Sequence, residues 1–154
     1  MKLFRRMLVV GLMACAVPAF AAEPNVGSAD EAVAMVKRAA AYLKDNGADK
    51  AYAEFSSPTG QFKDRDLYVA VLDAHGVTLA HGGNPKLVGK AMIELKDVDG
   101  VYFVKKFLEV GSAKGSGWVD YKWPNPVTKA LDQKSTYVQK AGDVVIICGV
   151  YKSR

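Results

Sequence analysis

Residues 66–82 read DLYVAVLDAHGVTLAHG, and the architecture depends on how this stretch is read. Leu67 to Leu72 form an unbroken apolar run, Asp73-Ala74-His75-Gly76 interrupts it with turn-forming residues, and Val77 to His81 resumes it. A short apolar run rich in β-branched and aromatic residues, bounded by turn signals, is a strand rather than a helix. The second run then closes a hairpin around Gly76.

Working outward from the hairpin, the period differs on each side. Upstream, SADEAVAMVKRAAAYLKDNG (28–47) opens with a Ser28/Glu31 capping box and repeats Ala32, Val33, Val36, Ala40 and Leu43 at helical spacing, with Gly47 as a stop. ADKAYAEFSS (48–57) is a shorter helix with Ala48, Ala51, Tyr52 and Phe55 on one side, and SPTGQF is a loop. Downstream, Pro85 keeps GGNPKLVGK (82–90) out of a central strand. VYFVKKFLEVG (101–111) is helical, with Gly111 expected to end it. The last third is strand only: GSGWVDYKW (115–123), then TYVQKAG (136–142) and DVVIICGVY (143–151), with Gly142-Asp143 as a hairpin turn and PNPVTKALDQKS (124–135) as a linker. Helix, helix, hairpin, helix and three-strand meander define an α+β layer fold. The long first helix is expected to cover the back of a five- to six-stranded antiparallel sheet, leaving the other face for loops and a pocket.

The first 21 residues follow other rules. Lys2, Arg5 and Arg6 precede a short apolar run, and Ala19-Phe20-Ala21 places small residues where a signal peptidase reads them. Cleavage after Ala21 is expected, which makes 1–21 a signal peptide and 22–154 one secreted, periplasmic domain. LMAC at 12–15 is a fainter lipoprotein-type alternative that would lipidate Cys15, but Met13 fits that pattern poorly. Without Lys2, Arg5 and Arg6 the 21 basic residues become 18 against 16 acidic, so the net charge falls from +5 to +2. Such a dispersed excess is no nucleic-acid signature, which needs clustered Lys and Arg. The apolar run is shorter than the roughly 20 residues that span a bilayer, and no later segment qualifies, so the mature chain is expected to carry no integral membrane segment. A single cysteine then remains, Cys148 in VVIICGVY, a buried structural thiol by its surroundings.

Little here is suited to catalysis. His75 and His81 are the two histidines, no serine or cysteine sits in a nucleophile elbow, and DVDG (97–100) lacks the further positions of a calcium loop. No enzyme activity, cofactor or metal is expected; an enzyme built on His81 and a nearby carboxylate is the remote rival. GWVDYKWPNP (117–126) offers more. Alternation sends Trp118, Asp120 and Lys122 to one face and Val119, Tyr121 and Trp123 to the other, suiting either a core or a pocket floor. Trp118 is expected to pack against the first helix.

LYVAVLDAHGVTLAHGGNPKLVGK (67–90), GSGWVDYKWPNP (115–126) and KSTYVQKAGDVVIICGVYK (134–152) together resemble the single Cache domains of bacterial extracytoplasmic sensors. The resemblance implies a PAS-like fold whose sheet and loops enclose a pocket for a small ligand, in several members a short organic acid. It also implies signal transduction or chemotaxis with a membrane partner, a receptor or a histidine kinase. The chain departs from that plan in stopping three residues after Tyr151, so a stand-alone secreted version is expected. Carried onto matching positions, the ligand-binding residues are His81, Phe103, Tyr121, Trp123, Lys134 and Tyr137. The alternative is a structural or interaction module whose pocket its own side chains fill.

Overall fold

The computed structural model describes residues 26–152; the expected signal peptide, its cleavage after Ala21 and the alternative at Cys15 lie outside them. Helix α1 (Ala29–Asn46) begins as its capping box requires: the Ser28 hydroxyl accepts from the Glu31 amide, and the Glu31 carboxylate accepts from the Ser28 amide. It ends at Gly47, which at φ 79° turns the chain directly into α2 (Ala48–Ser56). After a two-residue β1 (Lys63–Asp64) come β2 (Leu67–Asp73) and β3 (Thr78–His81), paired antiparallel as the hairpin reading expects. A 3-10 turn at Pro85–Leu87 and an irregular loop lead to α3 (Phe103–Lys114). Then follow β4 (Ser116–Pro124), β5 (Leu131–Ala141) and β6 (Val144–Tyr151).

The six strands form one antiparallel sheet in the order β1-β2-β6-β5-β4, with β3 also paired to β2. One face carries α1 and α2. There Ala32, Met35, Val36, Ala39, Phe55, Phe62, Val69, Val71 and Ile146 close into an apolar core, with Phe62 edge-to-face against both Tyr42 and Phe55. The other face carries α3. Leu72, Phe103, Val104, Phe107, Val119, Tyr121, Val138 and Val145 cluster beneath it.

Three expectations need correction. Gly111 does not end α3, which runs on to Lys114 and is closed by Gly115 at φ 76°. Gly111 is instead a buried helical glycine where a side chain would strike Val145, so its lack of a Cβ lets α3 lie close on the sheet. Residues 124–135 are no long linker: β5 already starts at Leu131, leaving a short loop whose Asn125 and Thr128 side chains donate to Asp132. Trp118 faces the α1 side but stands on the outermost strand. It rests on Tyr137 at 5.4 Å and stays 40% exposed, outside the core under the first helix.

Candidate functional site

Strand β5 alternates strictly, sending Lys134, Thr136 and Val138 inward beneath α3. Its partners in register supply the rest: Tyr121 lies opposite Lys134 on β4, and Tyr151 lies opposite it on β6. β2 adds Tyr68, Ala70 and Leu72, β3 adds Thr78 and His81, and α3 adds Phe103 and Phe107. These side chains enclose a cavity that leaves about 30 Å³ for the centres of water-sized atoms.

Lys134 is 2% exposed. Its Nζ donates to the hydroxyls of Tyr68 (2.7 Å) and Tyr151 (3.2 Å), and lies over both rings at 4.0 and 4.6 Å from their centroids. Tyr151 passes its own hydrogen to the carbonyl of Pro124 at 2.8 Å. Burial pushes the Lys134 ammonium down to about 7, against the weaker pull of Cys148 and Asp66. Gly149 makes room for it: a Cβ there would overlap both the Lys134 stem and the Thr136 hydroxyl.

His81 is a fixed neutral donor. Its Nδ1 accepts the amides of Gly83 (3.2 Å) and Asn84 (2.9 Å), so the ring hydrogen sits on Nε2. Burial, reinforced by the charge of Lys134, holds it down to about 4. With Nδ1 occupied by amides, the carboxylate-oriented histidine of an enzyme is not built here. On the far wall Phe103 stacks on Tyr121 at 4.5 Å and meets Trp123 edge-on at 5.2 Å. The Tyr121 hydroxyl accepts from Thr136 at 3.3 Å, leaving its own hydrogen for an acceptor in the cavity.

The fold thus brings five of the six expected residues together: His81, Phe103, Tyr121, Trp123 and Lys134 line one cavity. Tyr137 is the exception and a correction. It pairs with Trp118 and Cys148 in register and packs against the α1 core, on the opposite face from Lys134. Three polar residues of the cavity lay beyond the sequence reading, Tyr68, Thr78 and Thr136, as did Tyr151, which holds Lys134 from behind the lining. The signal for Thr136 was present, since it is two residues from Lys134 and shares its face. A shallower groove outside, formed with Gly83, Asn84, Asn125 and Lys129, shares Tyr68, His81 and Trp123 with the cavity, making those three the wall between it and solvent.

In the DVDG stretch the carboxylate of the first aspartate is engaged by backbone amides. Asp97 accepts the amides of Asp99, Val101 and Lys122, which fastens this loop to β4. Among the described residues no three His, Cys, Asp or Glu side chains converge as a metal site.

A helix-backed antiparallel sheet with a small enclosed pocket opposite its long first helix is the architecture of PAS-like sensor domains. The model of one such family, single Cache domain 2, matches residues 25–153, and the chain belongs to that family. Cache sensor domains are extracytoplasmic ligand-binding modules of signalling proteins, chemotaxis receptors among them. A methyl-accepting chemotaxis protein of Pseudomonas putida, McpP, is 29% identical over 90 residues, which is 57% of this chain and 16% of that receptor. The chain therefore corresponds to a small part of that relative. A methyl-accepting chemotaxis protein of Vibrio parahaemolyticus superposes with a TM-score of 0.67 at 25% identity, covering 79% of this chain and 86% of that one. A Cache chemosensory domain described for its carboxylic acid recognition superposes with a TM-score of 0.68 at 25% identity, covering 80% and 92%. Among the described residues no helix is long and apolar enough to cross a membrane.

Proposed function

We propose that the chain is a periplasmic sensor domain, exported by its first 21 residues, that binds a short carboxylate in the cavity under α3. It would report occupancy to a membrane partner, a chemotaxis receptor or a histidine kinase. The observation that carries this reading is Lys134: a buried amine with hydroxyl partners that is in none of the ion pairs of the described residues. Unpaired charge in such surroundings is costly, and an incoming carboxylate removes the cost. His81 Nε2–H and the Tyr121 hydroxyl are further donors to the same anion, while Leu72, Phe103 and Phe107 accept its carbon end.

Size narrows the class. A water needs roughly 10–15 Å³ of such space, so about 30 Å³ suits an acid of two or three carbons. The same small volume favours the second reading, a pocket filled by its own side chains with no free ligand. Thermal shift and calorimetry against acetate, propionate, hexanoate, amino acids and amines separate the two. Stabilisation that scales with acetate or propionate concentration supports the sensor. A well-folded chain whose melting temperature none of them moves is a structural module.

A further inference from the structure

We propose that carboxylate binding converts Lys134 from an uncharged amine to an ammonium, so that anion and proton enter the cavity together. This rests on the carboxylate reading above and adds its regulation.

The partner set of Lys134 is the starting point. Its two hydrogen-bond acceptors are the Tyr68 and Tyr151 hydroxyls, and the latter is fixed as an acceptor because it donates to the Pro124 carbonyl. Two acceptors match the two hydrogens of an uncharged amine, whereas an ammonium brings a third. The ion pairs of the described residues all lie on exposed or half-exposed side chains, and Lys134 is in none of them.

The groups facing it from each element offer little negative charge. Tyr68 on β2, Tyr121 on β4 and Tyr151 on β6 are all pushed up by burial, and the Cys148 thiol on β6 is pushed up to about 12 for the same reason. His81 on β3 is neutral. On β5 itself, the Asp132 carboxylate is engaged by Asn125 and Thr128 of the hairpin loop. Asp66, at the root of β2, does pull on the lysine. One of its oxygens accepts the Gly27 amide, and burial raises its own carboxyl above the usual range. None of these groups is in direct ion-pair contact with Lys134 among the described residues, and an anion from outside supplies that contact.

The sign follows directly. The free amine holds its proton below about pH 7, and a bound carboxylate raises that limit. Below about pH 7 ligand binds with no proton exchange. Above it each ligand brings one proton, and affinity falls about tenfold per pH unit.

Acetate titrations of the purified chain from pH 6 to 9.5, in buffers of different ionisation enthalpy, test this. The expected result is no proton uptake at pH 6, close to one per acetate by pH 8.5, and a Kd that rises about tenfold per pH unit above 7. Acetate binding of constant affinity with no buffer dependence overturns the proton coupling and leaves the carboxylate site standing. No acetate heat at any pH, with the chain folded, overturns both. Lys134→Arg, whose charge is permanent, is expected to flatten the pH profile. If that variant does not fold, Lys134→Met serves. The native ligand-free chain should gain melting temperature from pH 7 to 10 as the buried amine loses its proton, and K134M should not. An equal rise in K134M counts against the proposal.

Discussion

The two faces of the sheet are built from the same strands and follow opposite rules. Under α1, Ala32, Met35, Val36, Phe55, Phe62, Val69, Val71 and Ile146 make an apolar core, and the Cys148 thiol lies 3.8 Å from the Met35 sulfur. Under α3, the same strands deliver a lysine, two threonines, two tyrosine hydroxyls and an imidazole, arranged around unfilled space. β5 shows the contrast within three residues: Lys134 and Thr136 turn to the cavity, while Tyr137 turns to the helix core. One face is spent on stability and the other on chemistry, and a sheet can do both because its side-chain period is two.

Substitutions sharpen that division, beginning where the effect is largest. Phe62→Ala on the α1 face is expected to cost about 3–5 kcal/mol in urea unfolding, since it empties the middle of a three-ring cluster. Acetate affinity of the folded fraction should be unchanged; a tenfold loss would mean that the faces are not separable.

Acid should act on the cavity face. His81 is held at about 4 in the fold against 6.5 outside it. Its contribution is therefore complete above pH 6.5, shrinks as pH falls, and is gone below about 4. This amounts to ~3 kcal/mol that His81→Gln should remove from the pH dependence measured between 7 and 4. An H81Q curve parallel to the native one would deny that His81 is buried neutral.

Gly149→Ala forces the Lys134 stem aside. It should cost roughly 1–3 kcal/mol, as overpacking does, together with most carboxylate binding. Wild-type acetate affinity in G149A would show that Lys134 is not the anchor. The smallest effect belongs to Tyr137→Phe: its hydroxyl is not part of the cavity, so a stability change within about 0.5 kcal/mol and unaltered binding are expected. A clear loss of affinity would return Tyr137 to the site.

The elements were legible because their signals are local: the Ser28 box, the Gly47 stop, the Gly142-Asp143 turn and the alternation that split Trp118 from Tyr121. What sequence hid was register and two-sided burial. Tyr68 lies in a run that is buried on both faces, so no period tells which way it points. Tyr137 turns to the α1 face because it is an odd number of residues from Lys134, a parity that its place near the strand's start does not reveal. β5 starts earlier than composition suggests, since Asp132, Gln133 and Lys134 read as linker until the hairpin loop and the cavity give them partners. Gly111 resembled a helix stop because only the packed structure reveals Val145 above it.

One consequence follows from how the helices are tied down. At its start α1 is fastened to the root of β2: Asp66 takes the Gly27 amide at 2.7 Å, and Arg65 grips the Val26 carbonyl and Glu31. At the other end of the helical pair, the Ser56 hydroxyl closing α2 accepts the His81 amide at 3.2 Å. Tyr68, two residues beyond Asp66, lies against the His81 ring at 5.0 Å, tilted by 31°. The two helices therefore make a shackle with one pin at His81 in the cavity wall and the other two residues from Tyr68. With α1 spanning about 27 Å at the usual rise, a tilt of roughly 2° at its pinned start swings the far end by about 1 Å. A small displacement where α1 meets the root of β2 is therefore a larger one where α1 meets α2.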